Sequence, residues 1–377
     1  MAATVRKANN GKFQVRWRAP DGKESGKTFE YKRDADAFKR EIDAQMTRGD
    51  YVDPSRGRMT FEELAALWMG DPSWEATTRE RQASILRVHV LPKWGRYQIR
   101  HVTHEAAQAW VNDLCVSVRP GSRAPLAPRT IHKVVGVFRG VLEQAVRSRR
   151  LSSNPADDVR LPRPRSSRRR YLDVAEVERL ARAHTGGHDA IQLLAYTGLR
   201  FSELAGLKVK YLDLARSRPR LMVEEVVVEL DSGTMHWKDP KDYERRPIVL
   251  AKFLVPILQA RIEGLGPEDL VFPSAAGTPM RKGNFRRDAF NPAVKEAGLD
   301  GLTPHGLRHT AASLAISGGA NVLAVQRMLG HEKPSTTLDI YSDLFDSDLE
   351  DVATSMNTKR SEALVDEMWM SESPSAA

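Results

Sequence analysis

Five side chains in the second half of the chain, Arg200, His305, Arg308, His331 and Tyr341, bring together two guanidiniums, two imidazoles and a phenol. That set contains what a phosphodiester exchange needs when neither metal nor water takes part. The phenol is a nucleophilic oxygen, the guanidiniums are fixed positive charge for the phosphate oxygens, and the imidazoles can hold or move a proton. Each residue also has an ordinary reading when taken alone, so the segments around them decide the matter.

Arg200 sits in Gly198-Leu199-Arg200-Phe201-Ser202-Glu203-Leu204. Gly198 is placed to stop a helix in a left-handed cap, and Ser202 with Glu203 to start the next, so Arg200 falls on the tight connection between them. His305 and Arg308 follow Thr303-Pro304, an N-cap and a proline at the first helical position. Their i,i+3 spacing puts them on one helix face, near an N-terminus that favours an anion. His309 raises a rival, a zinc site from His305 and His309 at i,i+4. Gly306 stands where a His-Glu-x-x-His helix has its glutamate, so no metal is expected. Leu329-Gly330-His331 reads as a further helix end. Pro334 opens a short helix that carries Leu338, Ile340 and Tyr341, where the ordinary reading of Tyr341 is a buried core phenol.

The 377 residues are too many for one ordinary core, so two or three domains are expected. No apolar run reaches 18 residues, which excludes a spanning helix, and the N-terminus lacks a signal-peptide pattern, so a cytoplasmic protein is expected. The single cysteine, Cys115, excludes an internal disulfide and reads as a buried structural thiol. The net charge of +9 is unevenly distributed. Residues 1–55 carry +3, residues 56–170 carry 22 Lys and Arg against 10 Asp and Glu, and residues 171–377 carry −6. The middle third therefore holds the positive excess, which favours a polyanion partner, nucleic acid foremost.

The pattern along the chain is α+β, mainly helical. Residues 12–19 alternate, with Phe13, Val15 and Trp17 on one side and Gln14, Arg16 and Arg18 on the other. A turn at Pro20-Asp21-Gly22, a strand at 27–31 and a helix over about 33–46 complete a small sheet with one helix, in a domain over 1–55. Its basic face could lie in a DNA groove. A capping box at Thr60 and Glu63 opens a helical domain over 60–158, with further helices near 76–91, 103–118 and 127–149. The last carries Arg129, Lys133 and Arg139 opposite an apolar face, an arrangement that suits a duplex backbone. Residues 159–170 form a basic linker that ends in Arg168, Arg169 and Arg170 and could strap across phosphates. Residues 171–350 form a mainly helical unit with one β-hairpin or small sheet inserted around 221–250. The polar tail, 351–377, has apolar spots at Leu364, Val365, Met368, Trp369 and Met370 that suggest docking.

A loop arginine, His-x-x-Arg, glycine-histidine and a tyrosine ten residues on, in this order, closely resemble the tyrosine recombinase family, in particular phage-type integrases. The resemblance covers 171–345 through these motifs and extends more loosely to the helical middle and the N-terminal sheet. It implies that Tyr341 attacks phosphorus to form a 3′-phosphotyrosyl link and releases a 5′-hydroxyl, so rejoining needs neither metal nor ATP. Arg200 and Arg308 would grip the non-bridging oxygens, for which the planar bidentate fork of arginine is suited. Only about 0.1% of a free tyrosine is ionised at pH 7, and His305 is the family's candidate proton acceptor. His331 would donate to the phosphate, and Glu203 matches an acidic residue that orients the site.

A lysine on the β-hairpin would protonate the leaving oxygen. Lys241, five residues before Arg246, is at the family's usual distance, and Lys238 is the rival. Gly306 departs from the acidic residue more common there. The resemblance further implies double-stranded DNA with core and arm sites, a homo-tetramer on paired sites, a host DNA-bending protein and a directionality factor, and no cofactor. Two other classes share features: a type IB topoisomerase-like enzyme without strand exchange, and a non-enzymatic DNA-binding regulator.

Overall fold

The computed structural model describes the chain apart from residues 1–2, 9–10, 20–21, 23, 49–50, 53–55, 119–121, 123, 165–169, 185–186, 241–244, 345–352, 355 and 365–377. It divides into two units, residues 1–166 and 167–377.

The first unit opens with an antiparallel sheet in the order β1 (Thr4–Lys7), β2 (Phe13–Arg18) and β3 (Glu24–Phe29), followed by helix α1 (Lys32–Arg48). The alternation in β2 has its expected consequence: Val15 and Trp17 are buried with Ala35 and Ile42 of α1, while Arg16 and Arg18 are exposed on the other face. The third strand starts at Glu24, earlier than the 27–31 expected from its pattern.

A second core in this unit gathers α2 (Phe61–Met69), α3 (Ala76–Ile85), α4 (Leu91–Trp94), α5 (His104–Val116) and α6 (Pro128–Arg147). Thr60 and Glu63 close their capping box in both directions, with Thr60 N–H donating to Glu63 at 2.8 Å. Between α3 and α4 the chain passes through a π-helical turn, Leu86–Val90, beside Pro92, which brings no N–H to the helical ladder. The core is aromatic. Phe138 of α6 lies with its ring centre 5.4 Å from Phe61, 5.0 Å from Trp94 and 5.0 Å from Trp110. Arg129, Lys133 and Arg139 are exposed along α6, with Arg139 paired to Asp157 at 2.8 Å. Cys115 is half-buried at the edge of this core, not sealed inside it as expected.

The second unit is built on α7 (Val174–Ala183), α8 (His188–Thr197) and α9 (Phe201–Ala205). Strands β4 (Leu212–Asp213), β5 (Arg220–Val223), β6 (Val226–Glu229), β7 (Met235–Lys238) and β8 (Arg246–Val249) follow. After them come α10 (Leu254–Ile262), α11 (Lys282–Asn284), α12 (Asn291–Glu296), α13 (Pro304–Ser317), α14 (Val322–Leu329) and α15 (Pro334–Tyr341). The strands make two sheets where one was expected: β4-β5-β8, and the pair β6-β7. The apolar run at 221–230 breaks at Glu224-Glu225. Its first half pairs with β8, Leu221 facing Ile248, and its second half with β7, Val226 facing Lys238. Two apolar clusters result. The larger centres on α7, α8 and the β4-β5-β8 sheet, and the smaller places Tyr341 among Ala312, Ile316, Val325 and Leu329.

Phe138 is 1% exposed and touches three other rings, so truncating it leaves a cavity that rigid neighbours cannot fill. Phe138→Ala should lower unfolding free energy by about 3–5 kcal/mol, read as a shift of the urea midpoint. A loss below about 1 kcal/mol would mean that this core is not packed as described.

Candidate active site

The site is organised around the C-terminus of α14. The last carbonyls of a helix lack intrahelical partners and form the negative end of its dipole, so cations collect there. Here three arginines from three different elements do so. Arg246 of β8 donates to the Met328 carbonyl at 3.2 Å, Arg308 of α13 to the Leu329 carbonyl, and Arg200 to the Gly330 carbonyl at 3.3 Å. Arg308 also donates to the Gly198 carbonyl, at the C-terminus of α8, at 2.7 Å.

Two glycines make this approach possible. Gly198 has φ of +69°, and a Cβ there would lie 2.6 Å from Leu329 Cδ2 and 3.3 Å from Ala311 Cβ. Gly330 has φ of +62°, and a Cβ there would meet the Arg246 side chain at 3.0 Å. Both positions therefore need the left-handed backbone and the absence of a side chain.

Glu203 is the single carboxylate among these groups. It is buried and accepts two bonds from Arg246, at 3.1 and 2.8 Å, and one from the Arg200 side chain at 2.9 Å. Its second oxygen also takes the Arg200 N–H at 2.8 Å, so Arg200 is the N-cap of α9 in place of the expected Ser202. Burial alone would raise the Glu203 carboxyl, but Arg246 and Arg200 outweigh it and hold the group below its ordinary value.

Positive charge remains in excess. Burial, with Arg200 and Arg246 close by, outweighs the nearby Glu203 and pushes Arg308 down to about 9, so it stays charged at neutral pH, and among the described residues no carboxylate bonds to it. Burial and the same guanidiniums push His331 down to about 4, which leaves it neutral. Its Nδ1 lies 2.9 Å from the Thr337 hydroxyl. His305 is also lowered, by burial and then by Arg308, Lys282 and Arg200. It lines a cavity of about 520 Å³ with Arg200, Ser202 and Lys282. Glu229 and Asp231 line the same cavity, so its walls carry both signs of charge, with Arg200, Lys282 and His305 as the groups there suited to a phosphate.

Tyr341 ends α15 and is 1% exposed, with its hydroxyl 2.8 Å from His309 Nδ1. His309, weighed from sequence only as a zinc ligand beside His305, thus has the phenol as a neighbour. The expected acceptor, His305, is packed edge-on against His309, with ring centres 4.9 Å apart. Among the described residues no group of His, Cys, Asp and Glu could hold a metal ion.

Lys241 lies outside the described residues, as do Arg168 and Arg169. Lys238 is half-buried on β7. Arg170 is exposed and pairs with Glu176 at 3.0 Å. Sequence reasoning missed Arg246, which it treated only as the start of a strand. The signal was present, because Arg246, Ile248 and Leu250 alternate on the buried side of β8. Lys282 was also missed, and nothing local distinguishes it from a solvated lysine.

The Glu203 pairing has a pH signature. Its folded-state value lies below the ordinary 4.5, so its contribution is complete above about pH 4.5 and is lost as pH falls through the lower folded value. Glu203→Gln should cost about 3–5 kcal/mol at pH 7, because the buried Arg246 and the half-buried Arg200 lose their charged partner. The difference from wild type should narrow below pH 4.5. Denaturant unfolding at pH 7 and pH 3.5 checks this, and a difference that is constant with pH refutes it.

Comparison with known proteins agrees with the geometry. Residues 170–348 match the model of the phage integrase family, and residues 60–115 that of a phage integrase N-terminal SAM-like domain. The prophage phiRv2 integrase of Mycobacterium tuberculosis is 28% identical over 352 residues, covering 89% of each chain. The tyrosine recombinase XerA of Saccharolobus solfataricus is 31% identical over 195 residues, 51% of this chain and 58% of its own. Among solved structures, the Tn1549 transposon integrase in complex with a circular intermediate DNA has a TM-score of 0.63 at 23% identity, covering 75% of this chain and 95% of its own. A lambda integrase tetramer bound to a Holliday junction has a TM-score of 0.53 at 18% identity, covering 88% and 96%. At these identities the two structures speak to the fold alone, but the family models and the relatives speak to the sequence as well. The chain belongs to the phage integrase family of tyrosine recombinases.

Proposed function

We propose that the chain is a site-specific integrase that cuts and rejoins DNA through a covalent link between Tyr341 and a 3′-phosphate, integrating and excising phage or other mobile DNA. The observation that carries this reading is the convergence on the end of α14 of Arg200, half-buried and steadied by Glu203, and Arg308, buried and bonded to carbonyls alone among the described residues. In the proposed reaction Tyr341 Oη bonds to phosphorus as the bond to the 5′-oxygen breaks. Arg200 and Arg308 hold the two non-bridging oxygens as charge builds on them. His331, neutral and steadied by Thr337, donates to the phosphate. Glu203 orients Arg200. Lys241, in preference to Lys238, protonates the leaving 5′-oxygen, and His305 takes a proton-acceptor role. The same groups run the reverse step, so joining to a different strand needs neither metal nor ATP.

The other parts of the chain would hold the substrate. Arg16 and Arg18, on the exposed face of the N-terminal sheet, are suited to arm-site DNA in a domain over 1–55. Arg129, Lys133 and Arg139, exposed along α6, are suited to the core-site backbone in a domain over 60–158. The linker 159–170, with Arg168, Arg169 and Arg170, would follow the phosphates to a catalytic domain over 171–350. Four protomers would act on paired sites in the bacterial cytoplasm, with a host DNA-bending protein and a directionality factor.

Tyr341→Phe should abolish the covalent adduct with a nicked attachment-site duplex while the binding constant stays within about twofold, and mass mapping of the wild-type adduct should find Tyr341 modified. Arg200→Lys and Arg308→Lys should slow adduct formation by about 10²–10³-fold. An adduct that persists in Tyr341→Phe sinks the reading. Residues 356–364 form an exposed helical stretch, and we propose that 351–377 contacts a neighbouring protomer. Deleting 356–377 should weaken assembly on paired sites more than binding to one site in a native gel shift, and equal losses would count against that contact.

A further inference from the structure

Helix α15 is attached by few side chains. Of its eight residues only Thr337 and Tyr341 are buried, while Pro334, Ser335, Thr336, Leu338 and Asp339 are exposed. Both buried residues carry hydroxyls, and both hydroxyls meet an imidazole: Thr337 meets His331 at 2.9 Å, and Tyr341 meets His309 at 2.8 Å. The Tyr341 ring is gripped by apolar side chains of α13 and α14, contacts that fix its depth but not the direction of its hydroxyl. The bond to His309 supplies that direction. His309 follows Arg308 on α13, so one rigid helix carries both a guanidinium for the phosphate and the partner of the nucleophile.

We propose that His309 is the positioning residue for Tyr341, holding the phenol through Nδ1 beside Arg308 so that the tyrosine is set for attack within its own chain. The proposal rests on the strand-transfer reading above and adds a residue to it. With the His309 proton on Nε2, the phenol donates to Nδ1, which leaves the oxygen lone pairs for phosphorus. A directed hydroxyl also limits the rotamer search that a phenol on a lightly anchored helix would otherwise make. His305, packed edge-on against His309, turns instead to the cavity it lines with Arg200 and Lys282.

The test compares His309→Phe, which keeps a ring but removes Nδ1, with His309→Asn, which places an amide atom near the Nδ1 position. With a nicked attachment-site duplex, His309→Phe should form the covalent adduct on the order of 10- to 100-fold more slowly at unchanged DNA affinity, and His309→Asn should recover most of the rate. Independently of turnover, the ring-carbon NMR signal of Tyr341 in ¹³C-tyrosine-labelled protein, assigned through Tyr341→Phe, should move in His309→Phe and much less in His309→Asn. Wild-type or faster adduct formation by His309→Phe overturns the proposal, as do equal losses in both variants or an unmoved signal. If the wild-type protein forms no adduct at all, strand transfer itself fails, and the NMR comparison still decides whether His309 holds the phenol.

Discussion

The second unit depends on the unsatisfied carbonyls at the end of α14. Three consecutive residues, Met328, Leu329 and Gly330, each accept from a different arginine, and those arginines come from β8, α13 and the connection before α9. Elements distant in sequence are thereby tied to one helix end by charge-assisted bonds, which are stronger than bonds between neutral groups. The arrangement requires a close backbone approach, which explains why Gly198 and Gly330 flank it. A side chain at either position would push apart the groups that the carbonyls hold together.

This architecture leaves a deliberate imbalance. Glu203 neutralises Arg246 and steadies Arg200, but three buried or half-buried guanidiniums face one carboxylate. The effects on Arg308 and His331, both lowered by burial and by neighbouring cations, express the same unmet charge. A folded protein tolerates such a deficit where a substrate supplies the missing anion, and a phosphodiester does so with two oxygens at once. Arg246, 6% exposed, serves the site through its two bonds to Glu203, whereas Arg308, the most enclosed of the three at 3%, is held by the carbonyls of Gly198 and Leu329.

Much of this was legible in the sequence because its signals are local. Thr303-Pro304 starts α13, Gly198 and Gly330 end α8 and α14, Thr60 and Glu63 open α2, and the alternation at 13–18 makes a strand. Each depends on residues within one or two turns of each other. The short motifs around Arg200, His305, Arg308 and His331, with Tyr341 ten residues on, carried the family resemblance for the same reason. The start of α9 was misplaced because the glutamate that caps it draws back to Arg200 and not to Ser202.

What the sequence by itself determined was therefore the set of elements, their ends and the list of reactive side chains. Tertiary structure alone decided the partners. The run at 221–230 separates into two sheets because its halves find strands some 10 and 25 residues further on, β7 and β8. Arg246 is buried because Glu203, 43 residues away, meets it, and His309 reaches Tyr341 across 32 residues. Propensity and capping act within a few residues, whereas charge pairing and burial are settled only when distant segments close on one another, so the chemistry could be listed from the chain but its geometry had to be folded.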